Sequence, residues 1–428
     1  SFKQKVQKFF KSLGPGIITG ASGDDPSGIA TYSQTGAQFG FGQLWSSLYI
    51  LPFLVAVQEA CGRIGAVTGH GLSYAVRKHF SRKVLYFMVI IVLLANTINI
   101  GADIGVMASS LQLVTPFDFT PLAIGITISI LIIEIFTSYR SYSKILKYLA
   151  LTLLAYPLTL LIINAPWSTI LASTFIPHIE FNFAFFFIAT GVLGTTISPF
   201  MFFWQASEEV EEEREQKLIK HGIPKISVRF IKNMRFDTVM GMIFSQFGSW
   251  AIIIVAATVL HSHGVTDIKT AADAAKALEP LVSTFPNAGY LAKLLFTTGI
   301  IGLGLLGVPI MAGSAAYAIA EAFNFKDGLN LKFKQAHGFY GAITIATLVG
   351  LLINYIGIDP MKALVYSAVL NGFVSVPLIY LIAKISSDKK IMGKYQSNIL
   401  SRTFIWLTFL GMAAAALGTL YMLVLGGK

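Results

Sequence analysis

Cysteine occurs once in 428 residues, at Cys61, which excludes an internal disulfide and any cluster of cysteine thiolates around a metal. Charge is almost as scarce. Lysine, arginine, aspartate and glutamate make up 12% of the chain against 54% hydrophobic residues, about half the charged share of a soluble domain. A water-soluble globule is therefore excluded, and the chain reads as an integral membrane protein. Acids are fewer than bases, and the net charge of +11 is explained by bases gathering on the cytoplasmic side of a membrane, without a nucleic-acid partner. No nucleophile, base and oxyanion-binding arrangement is visible, so neither enzymatic chemistry nor a cofactor is expected. The basic stretch from Ser1 to Lys11 is followed by an apolar run too long and too broken for a cleaved leader, with no clear cleavage site.

What the sequence does contain is apolar runs of about twenty residues, the length that crosses a bilayer as a helix. About eleven are counted, near residues 13–39, 43–62, 84–111, 119–138, 145–164, 181–207, 236–260, 289–320, 337–357, 361–383 and 402–425. If they are right, lysine and arginine should alternate from loop to loop, and they do. Of the 32 bases only Lys269, Lys276, Lys293, Lys362 and Lys428 fall on the outer side. The expected topology is a multi-pass protein of a prokaryotic plasma membrane, N-terminus in the cytoplasm and C-terminus outside. Residues Thr270 to Val282 should form a short external helix. The charged stretch from Glu208 to Arg235 should be the longest cytoplasmic connection, turning at Gly222-Ile223-Pro224.

Two spans are interrupted. In the first, Gly23-Asp24-Asp25-Pro26-Ser27-Gly28 places two carboxylates and a proline where a plain helix in hydrocarbon cannot hold them. The helix must break there, and a break at membrane depth survives only when buried in protein or lining an aqueous cavity. In the sixth, Gly194-Thr195-Thr196-Ile197-Ser198-Pro199-Phe200 interrupts another apolar run. Breaks in spans one and six occupy matching positions of two five-span halves, and because five is odd the halves must be inverted. Paired broken helices point to a secondary transporter's substrate site. The expected fold is thus all-α, with an inverted repeat of helices 1–5 and 6–10. Residues 1–428 form a single transporter domain: a first repeat of about 13–164, a second of about 181–383, and an extra helix of about 402–425.

At these residues the sequence resembles the Nramp family of divalent-metal transporters. The family's first-span Asp-Pro-Gly-Asn corresponds to Asp25-Pro26-Ser27-Gly28, and its following segment to Gly36-Ala37-Gln38-Phe39-Gly40 with Leu44-Trp45. Arg63-Ile64-Gly65-Ala66-Val67-Thr68-Gly69 also looks like the family. The resemblance implies a LeuT-like fold working by alternating access. Departures bear on the cargo. Where the family has Met-Pro-His in span six, with an alanine three residues before the Met, this chain has Ser198-Pro199-Phe200 and Thr195. Gly28 replaces the asparagine, which removes an oxygen ligand and is expected to widen the cavity. Losing a thioether lowers the preference for softer ions, and magnesium keeps part of its water shell. Magnesium, with manganese also accepted, is therefore the expected cargo, as in the Nramp-related magnesium transporters. The family's histidine is Phe200 and one third-span acid of its proton route is Ile100, so passage without proton coupling is expected. The alternatives are a proton symporter of manganese or iron and a transporter of an organic solute on the same fold. The partners implied are the metal ion and membrane lipid, and the oligomeric state stays open, a monomer being compatible.

The candidate metal ligands are Asp25, Thr195, Ser198, Gly28, the carbonyl near Ser22, and Asn371 in span ten. Asp24, Asp103, Glu208 and Glu209 are candidates for the ion path or vestibule. Plainer readings stand beside these. Asp25 is placed to cap the helix beginning at Pro26, a role compatible with metal binding. Hydroxyls such as Thr195 and Ser198 commonly bond the carbonyl a turn back, and Gly28 shapes the turn. Asn371 is equally suited to an interhelical hydrogen bond, and a glutamate run is usually a solvated face. Gln58 and Glu59, near Arg63, suit an inner gate.

Overall fold

The computed structural model describes residues 19–20, 23–137, 154–220, 223–329 and 331–426. Its helices are α1 (Pro26–Phe39), α2 (Trp45–Thr68), α3 (Leu72–His79), α4 (Arg82–Gln112), α5 (Phe119–Phe136), α6 (Ala155–Leu160), α7 (Trp167–Phe175), α8 (Phe183–Thr196), α9 (Pro199–Glu215), α10 (Val228–Val259), α11 (Ala288–Phe323), α12 (His337–Ile353), α13 (Pro360–Ser387) and α14 (Ile399–Gly426). Among the described residues eight helices are long and apolar enough to cross a membrane, with α8 and α9 together making one of them, and α12 is a shorter apolar helix. The first span is present from its break onward as α1. Ser22 lies outside the described residues, as do residues 138–153, where much of the fifth span was expected.

Two groups of helices form the body. In one, α1 packs along α10 and α9 along α2; in the other, α4 packs against α11 and α12. Helix α13 touches both groups, through α4 and α8, and α14 lies against α2, α8 and α13. The closest approach is between α8 and α13. A Cβ added at Gly194 would stand 2.0 Å from the Ala368 carbonyl oxygen and 2.3 Å from the Gly372 nitrogen. Backbone rests on backbone there, which only glycine permits. Away from these contacts the helices present apolar side chains outward, such as Ile128, Ile132 and Phe136 on α5 and Leu417, Leu420 and Val424 on α14, as a lipid-facing surface requires.

The connections differ in part from expectation. Helix α9 continues through the glutamate run to Glu215 and α10 begins at Val228, so the charged segment between spans six and seven is mostly helix. What remains holds a two-stranded antiparallel pair, Ile219–Lys220 with Ile223–Pro224. The run turns helical because its first glutamates have a core to pack against: Glu208 and Glu209 are buried, not solvated. The external helix is present as Ala271–Ala275, a short 3-10 turn and Glu279–Val282, opened by a Thr270 capping box. Burial pushes the Asp273 carboxyl up, but hydrogen bonds from Thr270 and Lys276 outweigh it and hold the group below its ordinary value. At the basic end, Glu321 of α11 accepts from the Gly71 amide and, at 3.2 Å, from the Tyr74 amide, capping α3.

Candidate functional site

The first break is built by three neighbouring residues with different tasks. The Gly23 amide closes the preceding turn on the carbonyls of Thr19 and Gly20, both at 3.1 Å. Asp25 then takes extended geometry, φ −58° and ψ 175°, with Pro26 at the first helical position, where its missing amide hydrogen deprives no acceptor. Asp25 Oδ1 accepts from the Gly28 amide at 2.9 Å and from Ser27 Oγ at 2.6 Å. One carboxylate oxygen therefore caps α1. The other, Oδ2, faces α4 and accepts from Asn99 Nδ2 at 3.2 Å.

The second break is the two-residue step Ile197-Ser198 between α8 and α9. It lies against the first. Thr195 Oγ1 is 3.2 Å from Ser27 Oγ, and Thr196 Oγ1 is 2.8 Å from the Tyr32 hydroxyl. Ser198 Oγ is turned back to its own helix, within 2.6 Å of the Gly194 carbonyl and 3.0 Å of that of Thr195. The Ile197 carbonyl, which the break releases, accepts from Ser375 Oγ of α13 at 2.7 Å.

Helix α13 contributes a row of polar residues four apart, Ser367, Asn371 and Ser375, which share one face. Ser367 Oγ donates to Asn99 Oδ1 at 2.6 Å, reaching the first break, while Ser375 reaches the second. Asn371 sits between them, 1% exposed, and among the described residues neither its Oδ1 nor its Nδ2 has a hydrogen-bond partner. An orphaned amide costs about 1–3 kcal/mol, so its place between two breaks marks a position open to an incoming ligand. On α4 the corresponding row is Asn96, Asn99 and Asp103. Asn96 Nδ2 donates to the Met311 carbonyl at 3.0 Å, and Asn99 Nδ2 also lies 2.7 Å from Met311 Sδ.

Three acids are fully buried here. Among the described residues Asp103 accepts no hydrogen bond at either oxygen, and Asp24 lies by the Ser245 hydroxyl of α10. Among the described residues none of Asp24, Asp25 and Asp103 pairs with a lysine, arginine or histidine. Each charged acid at mid-membrane costs about 2.5–3.5 kcal/mol on insertion scales. Something positive must offset them. No group of three or more histidine, cysteine, aspartate or glutamate side chains among the described residues is arranged to hold a metal, so any ion here would complete its shell with amide, hydroxyl, carbonyl, thioether or water.

The structure thus brings together Asp25, Gly28, Thr195 and Asn371 around the two breaks, with Asp103 beside them across Gly307. It does not bring Glu208 and Glu209 there: they lie nine and ten residues into α9, about 14 Å along it. Glu209 accepts from Gln205 at 2.8 Å. Gly28 opens no space, since a Cβ there would meet the Gly23 carbonyl at 3.0 Å and Thr195 Oγ1 and the Tyr32 ring at 3.4 Å. The expected widening is absent because the backbone folds into the room that the side chain would take. Asn99, Ser367 and Met311 were not expected at the site. Their signal was the polar spacing in otherwise apolar spans, and for Met311 there was none. Near the basic end, Glu59 binds both Arg63, at 2.9 and 3.1 Å, and Arg235 at 2.8 Å, and Arg63 also donates to Ser397 Oγ at 3.0 Å. These bonds tie α2 to α10 and to the chain before α14.

Known proteins share this architecture. The divalent metal cation transporter MntH of Caldanaerobacter subterraneus is 28% identical over 93% of this chain and 90% of that protein. MntH of Klebsiella pneumoniae is 26% identical over 89% of this chain and 86% of its own length. Among solved structures, the manganese transporter of Eremococcus coleocola, in complex with an aromatic bis-isothiourea compound, superposes with a TM-score of 0.73 at 15% identity, covering 96% of this chain and 87% of that one. Mhp1, a nucleobase-cation-symport-1 family transporter in a closed conformation, gives 0.61 at 13% identity over 96% of this chain and 91% of that one. At such identities the superpositions speak to the fold alone, an all-helical LeuT-type fold with its first and sixth spans broken. Residues 16–422 match the Nramp family, natural resistance-associated macrophage protein-like, and the chain belongs to that family.

Proposed function

We propose that this protein carries a divalent metal cation across the membrane by alternating access, with Asp25 as the central ligand. The observation that carries the reading is the Asp25 carboxylate itself. It is buried at the break between two helix ends, with one oxygen committed to the cap and the other aimed at α4, and no base among the described residues neutralises it. The ion would sit at the free Asp25 oxygen, with Thr195 and Asn371 reached through water. A divalent cation against Asp24, Asp25 and Asp103 leaves one negative charge over, which a single proton would cancel. Proton symport is accordingly ranked ahead of uncoupled passage.

Manganese is the favoured cargo. The relatives named above are divalent metal and manganese transporters, and the case for magnesium rested on a lost thioether. A thioether is nevertheless at hand, because Met311 Sδ and Asp25 Oδ2 share the amide of Asn99 as neighbour. Magnesium stands second, carried by the hydroxyl of Ser198 where the family has methionine. The distribution of basic loops supports an N-terminus in the cytoplasm and a C-terminus outside.

Uptake into liposomes tests the whole reading. Manganese should enter saturably and acidify the lumen, and about a hundredfold excess of magnesium should leave most of that uptake intact. Magnesium entry that manganese fails to inhibit would reverse the choice of cargo. Uptake of an organic solute, with neither metal moving, would overturn the reading.

A further inference from the structure

The Asp25 oxygen that the cap leaves over does not point into the second break. It points at α4 and α11, where three groups converge on one glycine. A Cβ built at Gly307 would lie 3.0 Å from Asp25 Cβ, 3.5 Å from Asp103 Oδ2 and 3.8 Å from the Met311 methyl. A side chain there would crowd Asp25, so glycine is what lets two acids and a thioether approach one point. Asp103 is fully buried, and among the described residues both its oxygens are unpartnered. The Asn99 amide group faces Asp25 Oδ2 and Met311 Sδ together. Two electron-pair donors are thus aimed at a single electropositive group, as they would be at a cation. Ser367 holds the far side of that amide, and rotation of the amide would offer its oxygen to an incoming ion.

We propose that Asp25, Asp103 and Met311 form a cation pocket over Gly307, on the α4 and α11 side of the first break, and that Met311 supplies a sulfur ligand from the eighth span in place of the one missing at Ser198. Two carboxylate oxygens, a thioether and an amide oxygen make a donor set of mixed hardness, which suits manganese, iron or cadmium above magnesium or calcium. The inference rests on the divalent-metal reading above and adds the residue that sets its selectivity.

The test compares cadmium and manganese uptake by the full-length protein in liposomes for wild type, Met311→Leu and Met201→Leu. Leucine keeps the volume of methionine and removes the sulfur. Met201 is the control, a thioether that lies against Gly23 on the other side of the break. Met311→Leu should raise the half-saturating concentration for cadmium about tenfold and that for manganese much less, while Met201→Leu leaves the ratio unchanged. A ratio unchanged in Met311→Leu, or shifted by Met201→Leu instead, overturns the pocket. A wild type that moves neither metal overturns the divalent-metal reading and the pocket with it. Should Met311→Leu fail to fold, X-ray absorption of cadmium-loaded protein in a Cys61→Ala, Met201→Leu background decides. Sulfur in the cadmium shell supports the pocket, and a shell of oxygen and nitrogen alone overturns it.

Discussion

Asp25 commits one oxygen to the helix cap and leaves the other toward α4, and with the proposed metal at that second oxygen this division sets what its replacement should do. Asparagine caps a helix about as well as aspartate, so Asp25→Asn should keep α1 and lose the charge. Metal uptake should fall at least about a hundredfold while the melting temperature moves by only a few degrees; loss of both together would make Asp25 a structural residue first. Gly28→Asn is the contrasting case. It restores the family's residue, yet its Cβ must enter space held by the Gly23 carbonyl at 3.0 Å. Overpacking of this kind costs about 1–3 kcal/mol, so a lower melting temperature and weaker uptake are expected, measured on the purified protein and in liposomes. Asp25 was legible because an acid beside proline has no place in an unbroken apolar helix. Met311 was not: methionine in an apolar span carries no signal of its own, and only the fold brings it to Asn99.

At the scale of the element, both breaks were readable, since glycine, proline and hydroxyl residues in hydrocarbon declare a helix end. Their mutual contact was not. Thr195 meets Ser27 across 168 positions of chain, and sequence spacing says nothing about such a distance. The glutamate run misled for a related reason: alone it looks solvated, but α2 and α11 pack against α9 and cover its first turns. The α8 and α13 crossing offers a test of how firmly the second break is held. Gly194→Ala would drive a methyl group into the Ala368 carbonyl and the Gly372 amide. It should destabilise the protein by on the order of 3 kcal/mol, read as a lower melting temperature with reduced uptake. An unchanged melting curve would mean that these helices separate more freely than their packing implies.

For the molecule as a whole, Asp25 is 1% exposed and Asp103 and Asn99 are fully buried, so the site is closed to both faces. The proposed alternating access then requires a closure that opens, and the Glu59, Arg63 and Arg235 group is placed to form one at the basic end. Glu59→Gln removes the charge that holds two arginines. It should increase labelling of Cys61, the single thiol, by a membrane-impermeant maleimide several-fold, because truncating one partner of a buried ion pair weakens the closure by about 3–5 kcal/mol. An unchanged labelling rate would assign those arginines to packing alone. The order of the described spans was legible from hydropathy and the alternation of lysine and arginine. The division into two helix groups was not, because lipid-facing and protein-facing surfaces are equally apolar. Diffraction from crystals soaked in manganese, collected at its absorption edge, tests the claim on which the rest depends. An anomalous peak within coordination distance of an Asp25 oxygen is the required result, and a peak elsewhere in a protein that transports manganese would contradict it.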